Sequence, residues 1–423
     1  MKHIYFSGIG GAGLGPLAEI AWDAGNKVSG SDLNESLFTK ELEKRGVDIV
    51  FEQTKHSIDA ENLTNPIDWI VYSSALSTTH PELVFAKENN IKISKRDEFI
   101  NSFLKEKGLQ LIAIAGTHGK TTTTGMLIWA CNQLGLPISY SIGTTLNFGP
   151  SGKYDPNSKY FIYEADEYDR NFLKFNPTIS VLPSVDYDHS DIYKTVDDYK
   201  LAFKQFINQS GKTLMFKETE EYLSPINSDY IAYDHKTTIK EISLPGQVRR
   251  DDAFLVKQVL MQIDDFSEEE INEVLGKYPS SGRRFEKLFP GLITDYAHHP
   301  TEIKATVEMG LEVNKNLVVV YEPHQNERQL KTINQYKDIF KNVKHLYWLP
   351  TYLPPGDREK TDSILQPKDF INKLENTKAS ATKMDDELWQ SIETHIAAGD
   401  LVIAMSAGPL DKWLREKSQK HQV

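Results

Sequence analysis

A single cysteine, Cys131, stands among 423 residues, which excludes an intrachain disulfide and a cysteine-rich zinc site. No run of about 18 apolar residues is present, and the mean hydropathy is -0.46, so no membrane insertion is expected. The opening MKHIYFSGIGG meets glycine after too short an apolar run for a secretory signal; the expected location is cytoplasmic. Basic residues are in deficit, 48 Lys and Arg against 60 Asp and Glu, for a net charge of -12. Phosphate contacts dominate affinity for nucleic acid, so nucleic acid is not an expected partner. Small phosphate-bearing ligands remain open, because they need only local backbone donors and one or two cations. The basic tail LREKSQKHQV reads as a solvated helix end that suits the helix dipole. Glycine (25) and proline (19) are too few and too aperiodic for a collagen-like array.

What is present is a globular composition, 39% hydrophobic, in a chain long enough for two or three domains. Strand-like and helix-like segments alternate almost throughout, which predicts an α/β fold with largely parallel sheets. The first block opens with HIYFSGIGG, continues through KVSGSD, VDIVF and DWIVYSSAL, and closes near residue 107. A second block, 108–279, opens with LQLIAIAG and carries KYFIYEAD, TISVLPSV, GKTLMF, YIAYD and TIKEISLP as further apolar runs. Near its end Ser267 and Glu270 have capping-box spacing. A third block, 280–423, holds GLITDYAHH, NLVVVYEPH, HLYWLPTY and DLVIAMSAG.

Two glycine loops follow strands. In Gly8-x-Gly10-x-x-Gly13, glycines permit a tight turn whose amides approach a pyrophosphate at a helix N-terminus. Asp32, after the next strand, lies near where a ribose-binding acid belongs; a glycine turn without a ligand is the alternative. In Gly116-Thr117-His118-Gly119-Lys120-Thr121, successive amides can wrap a phosphate, Lys120 can reach β/γ-phosphates and the Thr121 hydroxyl a magnesium ion. Thr122 continues the helix, and Ile114 stands where the longer form of this loop has glycine. ATP is the implied ligand, and with it phosphoryl transfer or ATP-driven chemistry.

Glu164 ends the strand KYFIYEAD, and Asp188-His189 follow the next apolar run. Neighbouring parallel strands bring their carboxyl ends together, so Glu164 and His189 could share an edge with the phosphate loop and complete a magnesium shell. Magnesium favours oxygen, which makes the histidine the less typical ligand. Arg283-Arg284 could stabilise γ-phosphate charge, or simply be surface charge on a linker. Asp295-Tyr296-x-His298-His299 follows one strand, and Glu322-Pro323-His324 with Arg328 another; His324 and Arg328 could hold a carboxylate.

Taken in order, GIGGAGLGPLAE, VSGSD, VYSSAL, AIAGTHGKTTTT, YEADEYD, DYDHSDIY, GRRFE, DYAHHPTEI and EPHQNER resemble the Mur ligases, the ATP-dependent amide-forming enzymes of peptidoglycan synthesis. The resemblance implies three domains: a Rossmann-like UDP-sugar domain (1–107), a central ATP-binding domain (108–279) and a Rossmann-like C-terminal domain (280–423). It implies ATP and magnesium, with Lys120, Glu164, His189, Arg284 and His298 in catalytic roles. Gly116, Thr117, His118, Gly119, Lys120, Thr121, Thr122, Asp295 and Tyr296 match the nucleotide site, and Thr121, Glu164 and His189 the metal site. Gly10, Gly11, Gly13, Asp32 and Ser74 match the UDP-sugar site; His324 and Arg328 match residues near the incoming amine. The implied substrates are UDP-N-acetylmuramate and L-alanine, in a monomer or weak homodimer. A recycling ligase that takes a preformed tripeptide is the alternative, as is a relative that binds nucleotide without catalysis.

The sequence also departs from the family. Pro183-Ser184 replaces a Thr-Asn pair, Gly246-Gln247-Val248-Arg249 replaces a Gly-x-His-Asn loop that touches adenine, and Gln325 follows Pro323-His324 in place of arginine. Arg249 or Arg250 is a candidate to stack on the base instead. Lys200 and Lys204 are candidates for the carbamylated lysine that some relatives carry.

Overall fold

A computed structural model describes residues 1–235, 241–354 and 364–419. The first sheet is entirely parallel, in the order β3-β2-β1-β4-β5. Its strands are β1 (His3–Ser7), β2 (Lys27–Ser31), β3 (Asp48–Val50), β4 (Trp69–Tyr72) and β5 (Lys92–Lys95). The second sheet runs β12-β11-β10-β6-β9-β7-β8 and is parallel except at the β7/β8 edge. It comprises β6 (Gln110–Ile114), β7 (Ile138–Ser141), β8 (Gly152–Lys153), β9 (Tyr160–Glu164), β10 (Ile179–Leu182), β11 (Lys212–Phe216) and β12 (Tyr230–Tyr233). The third runs β13-β14-β18-β15-β16-β17, with one antiparallel pair at the β13 edge. Its strands are β13 (Glu286–Phe289), β14 (Leu292–Asp295), β15 (Leu317–Glu322), β16 (His345–Trp348), β17 (Ala379–Ala381) and β18 (Leu401–Ser406).

The central strands are the apolar runs of the sequence, because a strand covered on both faces buries every side chain. Strands β15 and β18 are buried at all six positions. Two strands that the sequence did not announce lie at edges, where burial is partial: β5 reads KISK and β17 reads ASA; a third, β7, is buried at all four positions but reads ISYS, short and half serine. The run TIKEISLP does not behave as a strand over 241–245, where Pro245 has no N–H to give a ladder; the rest of that run lies outside the described residues. The capping box at Ser267 is present, with Glu270 N–H donating to the Ser267 hydroxyl at 3.3 Å and Ser267 N–H to the Glu270 carboxylate at 3.0 Å.

The chain divides into two compact units, 1–243 with 251–278, and 244–250 with 279–423. The first unit contains both of the first two sheets because they share one core. Phe99 and Phe103, from the helix Arg96–Lys107, stack at 6.0 Å, and Phe103 meets Tyr154 and Phe161 at 5.2 and 6.4 Å. Gly152 of β8 lies so close to the helix Gly15–Asp23 that a Cβ there would sit 1.8 Å from the Pro16 carbonyl oxygen. Its amide donates to the buried Glu19 carboxylate at 2.6 Å.

Candidate functional site

The second glycine loop leaves β6 and enters the helix Lys120–Gln133. Its conformation is fixed by the loop after β10. Thr117 N–H donates to the Ser184 carbonyl at 2.9 Å, and the Thr117 hydroxyl to the Asp186 carbonyl at 2.7 Å. The same hydroxyl lies 2.7 Å from the Tyr199 phenol. A Cβ on Gly116 would meet the Ser184 oxygen at 2.6 Å, and one on Gly119 would meet Pro183 at 2.8 Å and Asp252 at 2.7 Å. Both glycines have positive φ, so strain and close approach alike demand them. Pro183-Ser184 therefore fills its unusual place by packing on this loop. His118 faces Asp186 at 4.0 Å, and Thr122 lies in the first turn of the helix.

Lys120 curls back over its own loop. Its ammonium donates to the Gly116 and Thr117 carbonyls and lies 3.0 and 2.8 Å from the two oxygens of Glu167. Burial alone would favour the neutral amine, but the Glu167 carboxylate overrides it and holds the Lys120 pKa above its ordinary value. The reciprocal holds for Glu167: burial pushes its pKa up, Lys120 and His189 pull it down, and the result is below the ordinary range.

The Thr121 hydroxyl donates to Glu164 at 2.7 Å, and the other Glu164 oxygen accepts Gly143 N–H at 3.2 Å. This hydroxyl–carboxylate pair beside a phosphate loop fits magnesium, which is typically held by one or two protein oxygens with phosphates and water. His189, the third expected metal ligand, places its Nε2 3.3 Å from the buried Glu167 carboxylate. Among the described residues no three His, Cys, Asp or Glu side chains gather as a metal site. The lysines considered for carbamylation are engaged elsewhere: the Lys200 ammonium sits 4.1 Å over the Tyr222 ring, and Lys204 donates to the Ser224 carbonyl at 3.4 Å.

The first glycine loop is built differently. Gly8 and Ile9 N–H both donate to the Ser31 carbonyl, at 2.8 and 2.9 Å, and Gly11 N–H to the Gly8 carbonyl at 3.2 Å. Gly10 N–H donates to Asp32 at 2.9 Å, and the other Asp32 oxygen accepts Leu33 N–H at 2.8 Å. The amides expected to wrap a pyrophosphate are thus used inside the loop, and Asp32 binds the loop where a ribose acid was expected. Beside it lies a polar cavity of about 140 Å³, lined by Gly8, Gly11, Gly13, Ser73, Ser74 and Arg96, with Lys95, Asp166, Tyr168 and Asn171 on its wall. Arg96 approaches so closely that a Cβ on Gly13 would lie 3.2 Å from its guanidinium. The cation of this cavity therefore comes from the start of the helix Arg96–Lys107.

In the second compact unit, Arg284, Tyr296, His298, His324 and Arg328 collect at the carboxyl ends of β14 and β15. The Arg283 and Arg284 guanidiniums lie 4.7 and 5.1 Å over the Tyr296 ring, and the His298 ring stands 5.9 Å from that of His324. Burial holds the His298 pKa below its ordinary value; Glu302 opposes this and the Arg328 and Arg284 charges reinforce it. Asp295 ends β14. It is buried and accepts Phe285 and Ala297 N–H, both at 2.7 Å, so it fixes the turn. Arg249 and Arg250, the candidates for stacking on a base, are engaged within this unit: Arg249 donates to Ser280 at 3.1 Å and Arg250 pairs with Glu312 at 2.9 Å.

The sequence reading missed Glu167, one of three acids in four residues, which strand periodicity cannot rank. Arg96 lies outside every motif, although Lys95-Arg96 at a helix start opposes the helix dipole.

Residues 3–107 match the family model described as the Mur ligase family, catalytic domain, and residues 114–244 the Mur ligase middle domain. The chain is 31% identical to a UDP-N-acetylmuramate–L-alanine ligase of Clostridium botulinum strain Okra, over 97% of this chain and 96% of that one. A ligase of the same name from Clostridium acetobutylicum is 30% identical over the same shares. Among solved structures, a UDP-N-acetylmuramate–alanine ligase from Thermotoga maritima superposes with a TM-score of 0.77 at 21% identity, covering 100% of this chain and 99% of that one. A murein peptide ligase from Psychrobacter arcticus does so with a TM-score of 0.64 at 21% identity, covering 99% and 98%.

Proposed function

The chain belongs to the Mur ligase family, and on that premise we propose that it is an ATP-dependent, ADP-forming ligase that joins L-alanine to the lactyl carboxylate of UDP-N-acetylmuramate in the cytoplasm. The observation that carries the reading is the whole-length likeness to alanine-adding relatives. We assign residues 1–107 to the UDP-sugar, 108–279 to ATP and 280–423 to closure and the amine.

The residues suit each step. The substrate carboxylate attacks the γ-phosphate and ADP leaves, giving an acyl phosphate; the amine then attacks the acyl carbon, phosphate leaves, and an amide forms. The first step brings two anions together, and its barrier is largely electrostatic. Lys120 supplies a buried cation at the phosphates. Thr121 and Glu164 would hold magnesium, which screens phosphate charge when bound. Arg96 and Lys95 offer cations to the diphosphate of the sugar nucleotide in their cavity. His298, whose pKa is lowered by burial and further by the Arg328 and Arg284 charges, lies in a cationic edge suited to anionic groups.

The test is phosphate release from ATP and magnesium with UDP-N-acetylmuramate, comparing L-alanine with the L-Ala-γ-D-Glu-meso-diaminopimelate tripeptide. Release stimulated by L-alanine is expected. Release with the tripeptide alone moves the chain to recycling, and ATP binding without release in either arm indicates a non-catalytic relative.

A further inference from the structure

Glu167 touches Lys120 of the phosphate loop and His189 from the loop after β10, yet no step of the proposed reaction uses it. Its side chain is fully buried. One oxygen lies 3.0 Å from the Lys120 ammonium and 3.3 Å from His189 Nε2; the other is 2.8 Å from the same ammonium.

The backbone around it is held under strain. Asp169 and Arg170 both have positive φ, at 53° and 56°, and His189 has 54°. Such residues persist only where the surroundings over-determine them. Here Arg170 pairs with Asp198 at 2.6 Å and lies 5.0 Å over Tyr193, whose hydroxyl donates to the Glu167 carbonyl at 2.6 Å. Tyr168 packs edge-on against His189 at 5.2 Å.

We propose that Glu167 is a positioning residue for phosphoryl transfer, whose buried carboxylate fixes the Lys120 ammonium and the His189 imidazole relative to the phosphate loop. The inference rests on the reading of that loop as an ATP site. An ammonium has three donors, and here they go to two carbonyls and to Glu167. An arriving phosphate displaces the neutral carbonyl bonds before the charge-assisted one. The Glu167 contact then persists and aims the remaining donors at the transferring group. The carboxylate also repels the triphosphate, so its removal affects binding in two opposed directions, whereas alignment in the transition state is simply lost.

The experiment compares Glu167→Gln and Glu167→Asp with wild type in the full chain. Magnesium–ATP affinity is read by calorimetry, kcat by phosphate release at saturating substrates, and Tm by thermal melting. For Glu167→Gln the expected result is ATP affinity within about threefold of wild type and kcat lowered roughly 10- to 100-fold, as misplacement near 1 Å can produce, with a lower Tm because the buried Lys120 ammonium loses its charged partner. Glu167→Asp should recover part of that loss. Unchanged kcat in Glu167→Gln overturns the proposal. So does a joint fall of kcat, affinity and Tm that Glu167→Asp does not relieve, since that is a structural role. A wild-type chain that binds no ATP overturns the nucleotide reading itself, and the proposal with it.

Discussion

The two glycine loops of the first unit begin alike, each turning from a parallel strand into a helix, and they meet charge in opposite ways. The second carries its own cation, Lys120, at the helix start, with a carboxylate set against it. The first has no basic residue and uses the amides of Gly8 to Gly11 within itself and on Ser31 and Asp32. Its cation, Arg96, comes from a helix more than 80 residues further along the chain. A loop that brings its own cation shows that cation in its motif; a loop whose cation the fold delivers does not.

The sharpest way to break this comparison is Lys120→Ala. It should lower ATP turnover by more than about 1,000-fold, the scale of losing a principal electrostatic stabiliser, and leave UDP-sugar binding near wild type. Phosphate release and sugar-nucleotide affinity, measured on the same preparation, decide it. Turnover above a tenth of wild type would remove Lys120 from the phosphate site, and loss of sugar binding would show that the two loops do not work separately.

The complementary variant is Arg96→Ala. A charge-assisted contact to an anion is worth about 1.5–3 kcal/mol, so UDP-sugar affinity should fall roughly 10- to 100-fold while ATP affinity holds. Calorimetric titration with each ligand tests it. A loss confined to ATP would place the cation of this cavity in the wrong loop.

What the sequence made legible follows the same division. Strands β1, β6, β15 and β18 were readable because burial on both faces leaves continuous apolar runs. Edge strands such as KISK were not, since partial burial leaves mixed composition. Residues tied to a local pattern, Gly116, Gly119, Lys120 and Thr121, come together around one loop, and Thr121 meets Glu164 as expected. Other matched positions are held by contacts within the chain. Asp32 and Asp295 accept backbone amides, and His189 turns to Glu167. An acid after a strand looks the same in sequence whether it faces a ligand or ties a turn, because both uses need a carboxylate near the end of a parallel strand.

The helices behind the two loops sharpen the comparison with no expected change in turnover. The helix after the second loop packs on its own sheet, whereas the helix after the first reaches across to β8 through Glu19. Burial raises the Glu19 pKa to about 7, against the opposing pull of Arg45 and of the Gly152 amide. In the unfolded chain the group returns to its ordinary value near 4.5. Between these values the folded state binds more protons than the unfolded one, so this group makes stability fall as pH rises from about 4.5 to about 7. The upper bound on the effect is about 3 kcal/mol. In Glu19→Gln the side-chain carbonyl can still accept the Gly152 amide, but the titration is gone. Denaturant unfolding of the full chain from pH 5 to 8 should therefore show a flatter profile for the variant, with its advantage over wild type largest at pH 8. Parallel profiles would mean that Glu19 stays ionised in both states and that the contact with Gly152 is an ordinary carboxylate–amide bond.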